Sequence, residues 1–372
     1  MSSDVQLLKE SLALIEPAHD KVVGYFYAKL FVENPGVRGM FPLTMDLQRD
    51  RLFRALTSAV QGMDRPEVLV PMLQQLARDH RKYGVRPEHF AAVARAMIGA
   101  IKAYSWGEWT AEIEAAWNRT FTLIAHTMIA AADEASAQPP FWTATVVSHE
   151  RRTDDIAVLQ LRPDQPYPYE AGQYTTLESP RVPRVWRSYS IANAPRRDGL
   201  LEIHVRQVGA GWVSGALVRH HQPGDQVRLG PARGATVLDR ESTRDVVCVG
   251  GGTGLSPMKA LVDDARRWNS ARRLHLFFGV RRREDLYDVQ ALQALTVRYP
   301  WLTLTTAVSH DPEYPGEQGS LPDVVARHGD WHNHDVFVSG SPDMMRATVA
   351  RFRELGVSAD RIRYDVFTDS LY

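Results

Sequence analysis

Two adjacent prolines, Pro139 and Pro140, divide the chain into parts that cannot share one architecture. Proline lacks a backbone N–H and clashes with the preceding helical turn, so no helix runs through the pair. Before it, apolar residues recur at three- and four-residue spacing, as in "VVGYFYAKLF" (22–31) and "AAVARAMIGAIKAY" (91–104). That is the period of a helix with one buried face. Turn signals such as "NPG" (34–36) and "GVRPE" (84–88) separate the segments, so residues 1–137 are predicted to be all-α. Beyond the prolines come short strand-like runs: "WTATVVSHE" (142–150), "IAVLQLRP" (156–163), "QYTTLE" (173–178), "LLEIHVRQV" (200–208) and "DQVRLGP" (225–231). Short strands separated by Pro and Gly turns predict an antiparallel β-barrel over 138–240. From about residue 243 strand and helix alternate: "DVVCVGG", "SPMKALVDDARRW", "LHLFFGV", "LYDVQALQALTVRY", "LTLTTAV", "DVFVSG", "PDMMRATVARFREL". Alternation of this kind predicts a doubly wound α/β sheet over 241–372. The fold class is therefore multidomain: all-α, then barrel, then α/β.

The bulk properties narrow the function. A chain of 372 residues is too long for one core. Its net charge of zero gives no global field for nucleic acid or an anionic membrane, and no basic patch with interleaved aromatics stands out. The single cysteine, Cys248, excludes an intramolecular disulfide and suits a reducing compartment. The N-terminus lacks a basic-then-apolar leader, and no apolar run is long enough to span a bilayer. A cytoplasmic protein, a monomer with small-molecule partners, is expected.

The most informative motif is "RSYS", Arg187, Ser188, Tyr189 and Ser190, within "VWRSYSIANAP". Arg187 can meet a phosphate with a fork of donors, Tyr189 offers an aromatic face, and Ser190 offers a hydroxyl. Taken alone, an amphipathic strand with a surface arginine reads the same way. In context it resembles the flavin signature of ferredoxin-reductase-like oxidoreductases. The resemblance implies FAD, with Tyr174 also beside the flavin and Gly211, Trp212, Val213 and Ser214 opening a helix toward its phosphates. Downstream, "VGGGTGLSPM" ends a strand and opens a helix, with Gly252, Thr253, Gly254 and Pro257 at the turn. Glycines let a backbone approach a pyrophosphate, and the helix N-terminus favours its charge. A tight strand-to-helix turn is the plain alternative; proline in place of a third glycine is the form this reductase family uses. Ser339 and Gly340 occupy the family's Cys-Gly place, so a thiol is lost there. Asp365 and Phe367 match an acid and an aromatic that close over the flavin, with Tyr372 as a second aromatic. Arg281, Arg282 and Arg283 are either a solvated run or a site for the 2′-phosphate of NADPH. Asp285 beside them argues for NADH.

In the helical third, "GYFYAKLFVENPGVRGMFP" (24–42), "LQRDRLFRAL" (47–56) and "HRKYGVRPEHF" (80–90) occur in the order of a bacterial globin. End to end, the chain resembles a flavohaemoglobin. The resemblance implies a haem b whose iron is held by His80, with Phe41 wedging the haem. It places the hydroxyl of Tyr27, the amide of Gln48 and the side chain of Leu52 in the distal pocket. By position alone, His80 is an ordinary helix-end histidine, and Tyr27 and Phe41 are core aromatics. His19, His89 and His126 carry no such pattern.

One departure stands out. Well-braced family members use a glutamate and a tyrosine to hold the proximal imidazole; those places fall here on Ala132 and Phe90. Asp133 and Glu134 follow Ala132, but each residue turns a helix by ~100° and so faces another way. Tyr83 is another donor near His80. The iron is therefore expected to be less electron-rich. The implied activity is nitric oxide dioxygenation: NO and O2 to nitrate, with NAD(P)H electrons passing through FAD, and weak peroxidase activity. The alternatives are an O2-binding or redox-sensing globin with a built-in reductase, and a divergent member serving another electron donor or acceptor.

Overall fold

The computed structural model describes residues 2–209, 211–269 and 271–367. They fall into two compact units, Met1–Pro140 and Phe141–Tyr372. The first contains helices α1 (Ser2–Ile15), α2 (His19–Glu33), α3 (Asp46–Gly62), α4 (Pro66–His80), α5 (Pro87–Tyr104) and α6 (Ala111–Glu134). Local chemistry sets several ends. Pro66 and Pro87 open helices where a missing N–H costs nothing. The hydroxyl of Thr110 caps α6 by accepting from the Ile113 N–H at 3.3 Å. The amphipathic faces meet in a core that includes Val22, Phe26, Leu30, Met97, Ile101 and Trp117. The indole N–H of fully buried Trp117 donates to the Ser11 hydroxyl at 3.0 Å, so its burial leaves no orphan donor. A second apolar cluster joins Leu69, Leu73, Ala77, Met128 and Ala131, with Leu76 and Phe90 packed on it.

The second unit holds two sheets. Strands β1 (Trp142–Arg151), β2 (Ile156–Pro163), β3 (Tyr174–Glu178), β4 (Trp186–Ser190), β5 (Leu201–Arg206) and β6 (Gln226–Leu229) pair in the order β4-β3-β6-β1-β2-β5, and the pairs are antiparallel. An antiparallel bridge from Ile191 to Ile203 carries the end of β4 onto β5 and closes the barrel. Helix α7 (Trp212–Arg219) lies between β5 and β6 in the chain. Then follow β7 (Asp245–Gly251), α8 (Leu255–Ala265), β8 (Leu274–Val280), α9 (Val289–Arg298), β9 (Leu302–Val308), β10 (Glu317–Gln318), α10 (Leu321–His328), β11 (His334–Ser339), α11 (Pro342–Glu354) and β12 (Ile362–Arg363). These strands form one parallel sheet in the order β10-β9-β8-β7-β11-β12. The chain winds outward from β7 in one direction through β8 and β9, then in the other through β11. The crevice at the carboxyl ends of β7 and β11 is thus the topological switch point, where such sheets take ligands.

One expected element is shorter than its pattern. The apolar period suggests a helix from Leu286, but α9 begins at Val289 because Asp288 adopts a left-handed φ of 58°. No helix among the described residues is long and apolar enough to cross a membrane.

Candidate functional site

His80 is the last residue of α4. The chain turns at Gly84 (φ 75°), where glycine supplies a left-handed conformation cheaply, before Pro87 starts α5. The His80 Nδ1–H donates to the carbonyl of Leu76 at 2.7 Å. A neutral imidazole that donates from one nitrogen keeps a lone pair on the other, here Nε2. Burial pushes the His80 pKa down, against the smaller opposing pull of the Leu76 carbonyl, so the neutral form prevails. The Tyr83 ring lies 6.1 Å from the imidazole, nearly edge-on. Phe90 is half-buried in the apolar cluster beside Leu76, and Ala132 is half-buried on α6. Asp133 and Glu134 are exposed. Among the described residues, the hydrogen bond of the His80 ring goes to a backbone carbonyl, not to either acid.

Tyr27 sits on α2 within a group of aromatic rings: Phe26 at 4.8 Å, Phe41 at 5.6 Å and Phe31 at 5.7 Å, with Phe31 and Phe41 5.3 Å apart. Burial pushes its phenol well above the ordinary value, so the O–H stays a donor. That hydroxyl donates to the backbone carbonyl of Gln48 at 3.4 Å, not to its amide. Gln48 and Leu52 are one turn apart on α3, and Leu52 packs against the helical core.

In the barrel, β4 pairs with β3 so that Arg187 lies opposite Leu177, Ser188 opposite Thr176, Tyr189 opposite Thr175 and Ser190 opposite Tyr174. All four residues of the motif are half-buried, and Arg187 Nη1 donates to the Trp186 carbonyl at 2.9 Å. The Tyr174 ring meets Phe367 at 4.8 Å. Asp365 holds this C-terminal segment in place, accepting from the Thr236 hydroxyl at 2.7 Å and the Ala235 N–H at 3.0 Å. Gly234 (φ 113°) makes room for it; a Cβ there would lie 2.5 Å from the Asp365 carboxylate. Tyr372 lies outside the described residues. Gly211 precedes α7 with its first N–H groups unclaimed by a capping side chain. Ser214 Oγ turns back to the Gly211 carbonyl at 3.2 Å. Val213 is buried in the barrel core, which leaves its backbone as what it can offer, whereas Trp212 is 72% exposed.

At the switch point the glycines are required by space. A Cβ on Gly254 would lie 2.2 Å from the Ser339 carbonyl oxygen and 2.7 Å from the Gly340 nitrogen. Gly252 adopts φ 55°, and the Arg206 guanidinium reaches within 3.3 Å of where its Cβ would be. Thr253 is half-buried between them. Pro257 is the third residue of α8, where no intrahelical N–H bond is lost. The hydroxyl of Ser256, in the same first turn, is fully buried and has no hydrogen-bond partner among the described residues. A buried orphan hydroxyl at an open helix start asks for a polar ligand. Nothing local in the sequence distinguishes Ser256 from a solvated helix-start serine, so only the structure brings it out.

The arginine run resolves into pairs. Arg283 binds Asp311, and Arg282 approaches Glu284 at 3.8 Å. Asp285 pairs with Arg206 at 3.3 Å, which removes it as a free negative charge against a 2′-phosphate.

A globin family model matches residues 24–128, an oxidoreductase FAD-binding domain matches 143–237, and an oxidoreductase NAD-binding domain matches 248–350. The ferredoxin–NAD(P)+ reductase component of a naphthalene 1,2-dioxygenase system from Pseudomonas putida is 33% identical over 228 residues, covering 60% of this chain and 68% of that protein. A flavohemoprotein of Bacillus subtilis is 24% identical over 396 residues, covering 99% of this chain and 97% of that one. The crystal structure of a flavohemoglobin from Malassezia yamatoensis, with FAD and haem bound, superposes with a TM-score of 0.80 at 18% identity over 99% of both chains. Haem, FAD and NAD(H) are the cofactors these domains imply. The residues present suit them: a neutral imidazole with Nε2 open, a glycine turn a side chain would fill, and a buried hydroxyl without a partner. With the globin and both oxidoreductase domains in one chain, and relatives that match from end to end, the chain belongs to the flavohaemoglobin family.

Proposed function

We propose that the protein converts NO and O2 to nitrate, using electrons that pass from NADH through FAD to a haem held by His80. NADPH is the alternative donor, since Asp285 is occupied by Arg206. We take 1–137, 138–240 and 241–372 as the haem, FAD and NAD parts. The observation that carries the reading is His80: a half-buried imidazole, held toward its neutral form, with one nitrogen engaged by a backbone carbonyl, in the same chain as a two-domain reductase. Bound haem would supply O2 binding and one-electron chemistry, and bound flavin the exchange between two-electron and one-electron transfer.

The chain's own residues divide the remaining work. His80 Nε2 would hold the haem iron, and the Leu76 carbonyl orients the ring and fixes its tautomer. A carbonyl carries less charge than a carboxylate, so the imidazole donates less electron density than a glutamate-braced one. Tyr27 offers an O–H kept protonated by burial. Its 3.4 Å bond to the Gln48 carbonyl is long enough to yield to a better acceptor. Gln48 adds an amide donor on the same helix start, while Phe31, Phe41 and Leu52 exclude water, which strengthens each polar contact made there. In the reductase, Tyr174, Phe367 and Tyr189 offer aromatic faces to the flavin ring. Ser188 and Ser190 offer hydroxyls, and Arg187 with the backbone from Gly211 to Ser214 offers donors to its phosphates. The turn from Gly252 to Gly254, Thr253 and the α8 start with Pro257 would take the nucleotide pyrophosphate, with Gly340 leaving room beside it.

The reading is tested by nitrate formation from NO in air with NADH, in the wild type and in Tyr27→Phe/Gln48→Leu. We expect the double variant to fall by about tenfold or more, the scale for losing donors in a dry site. An unchanged rate would sink the assignment. A second reading is favoured by the 33% identity of the reductase half to a ferredoxin–NAD(P)+ reductase component: the flavin passes electrons to an acceptor other than the haem. It predicts flavin reduction by NADH with negligible haem reduction. A sensing globin predicts NADH oxidation that NO does not change.

A further inference from the structure

A ring of polar contacts, buried at His204 and Tyr287 and half-buried at Lys259, Glu202 and Asp288, joins the barrel to the α/β fold, and none of the roles above uses it. Lys259 Nζ, on α8, donates to Glu202 Oε1 at 2.6 Å and lies 3.4 Å from Asp288 Oδ2. Glu202 Oε1 also accepts from His204 Nε2 at 3.1 Å, both residues being on β5. His204 Nδ1 accepts from the Tyr287 hydroxyl at 3.0 Å. Tyr287 and Asp288 are neighbours in the chain, so the circuit closes. The His204 side chain is 0% exposed and that of Asp288 8%. Outside the ring, Arg152 Nε donates to Asp288 Oδ1 at 2.6 Å.

The protonation states follow from the partners. Burial pushes the Glu202 carboxyl up, but His204 and Lys259 outweigh it and hold it at about 2. An ionised carboxylate only accepts, so His204 must donate from Nε2 and accept at Nδ1 from the Tyr287 hydroxyl. Burial keeps His204 neutral. Lys259 is then the one cation inside the circuit, set between two carboxylates, and removing it leaves both facing each other with only Arg152 to balance them.

The ring's position matters more than its strength. Glu202 and His204 precede Arg206 on β5, and Arg206 reaches the Gly252 turn. Lys259 is just over one turn after Gly254. We propose that Lys259 is a positioning residue for hydride delivery: through Glu202 and Asp288 it fixes α8, and with it the nucleotide turn, against strand β5 of the flavin barrel. This rests on the reading that the nucleotide lies at Gly252–Gly254 and the flavin in the barrel. Misplacing a donor by ~1 Å costs up to about a hundredfold in rate. A residue that only stabilises the fold would leave the rate of the folded protein unchanged.

The test uses the full chain loaded with FAD and haem. Anaerobic stopped-flow bleaching of the flavin by NADH gives a saturated rate and a half-saturating concentration, and thermal melts report folding. We expect Lys259→Met to lower the saturated rate about tenfold or more with little change in half-saturation, the signature of lost geometry in the reacting complex. Lys259→Arg keeps the charge and should restore most of the rate. Asp288→Asn keeps the shape of its side chain and should show the same split more mildly, which carries the test if Lys259→Met fails to fold. An unchanged saturated rate in a folded, flavin-loaded variant overturns the proposal, as does a change in half-saturation alone. A wild type that neither NADH nor NADPH bleaches overturns the nucleotide-site reading and the proposal with it. A wild type that bleaches normally, beside an equally fast Lys259→Met, overturns the positioning role alone.

Discussion

The helical unit and the reductase unit commit to their cofactors in opposite ways. In the helical unit the candidate site depends on a few side chains: one imidazole oriented by one backbone carbonyl, and one phenol among aromatic rings. In the reductase unit it depends mainly on backbone: glycines where no Cβ fits, a helix start, and a registered strand pair. A site made of side chains can be tuned by single substitutions while the fold persists, and on the proposed reading Phe90 and Ala132 are such a tuning. A site made of backbone tolerates little change at its glycines. The two also differ in electrostatics. Near the neutral His80 ring the charges of Asp79 and Lys82 act in opposite directions, whereas the reductase is laced with paired charges such as Arg206 with Asp155 and Asp285.

The largest expected effect separates the two units. His80→Ala should abolish haem retention, leaving no haem absorbance in the purified protein, while NADH still bleaches the flavin. Loss of both cofactors would mean that the units are not independent in the way their cores suggest. Next comes the backbone-built site. Gly254→Ala places a Cβ against a backbone carbonyl, and overpacking of this kind costs about 1–3 kcal/mol. NADH-dependent flavin bleaching should collapse while haem stays bound; an unaffected reductase would show that the turn is not the nucleotide site.

A smaller effect is expected from restoring the brace. Phe90→Tyr/Ala132→Glu should lower the haem reduction potential and raise peroxidase turnover, on the order of tenfold as outer-shell partners go. NO consumption should change little. An unchanged potential would mean that the new carboxylate does not reach the ring.

The smallest effect concerns pH. His275 stacks on Phe277 at 4.2 Å, and burial, with the nearby His328 and His334, lowers its pKa to about 4. The folded state therefore takes up this proton later than the unfolded chain, whose ordinary value is about 6.5. Stability from this group is fully present above about 6.5 and is lost as pH falls toward about 4. The melting temperature should drop across that window, and His275→Leu should flatten the drop; an equal slope in both proteins would assign the acid limb to other groups.

Much of the fold was legible because its signals are local. The Pro139–Pro140 break, the change from helical to alternating period, and the glycines from Gly250 to Gly254 each report on their own neighbourhood. The candidate haem and flavin residues rest on motifs and the family resemblance these carry; by position alone His80 reads as an ordinary helix-end histidine. What the sequence hid is pairing at a distance. Asp285 looked like a guard against a 2′-phosphate until Arg206, from the end of a barrel strand, was found holding it. The buried hydroxyl of Ser256 and the ring through Lys259 depend on which elements pack together. The late start of α9 turned on the left-handed Asp288, whose side chain is drawn to Arg152 and Lys259. Tyr27 and Gln48 are expected in one pocket, and the bond from the Tyr27 hydroxyl to the Gln48 backbone carbonyl is visible only in the structure.

On the proposed function, hydride electrons entering at the glycine turn end in nitrate formed beside Tyr27 and Gln48. The most direct measurement follows NADH consumption and nitrate formation together under NO and air. NO should accelerate NADH oxidation, and each NADH should yield about two nitrates, since a hydride carries an electron pair. Tyr27→Phe/Gln48→Leu should lose the nitrate but not the flavin bleaching. NADH oxidation indifferent to NO, with no nitrate above background, would contradict the proposed function.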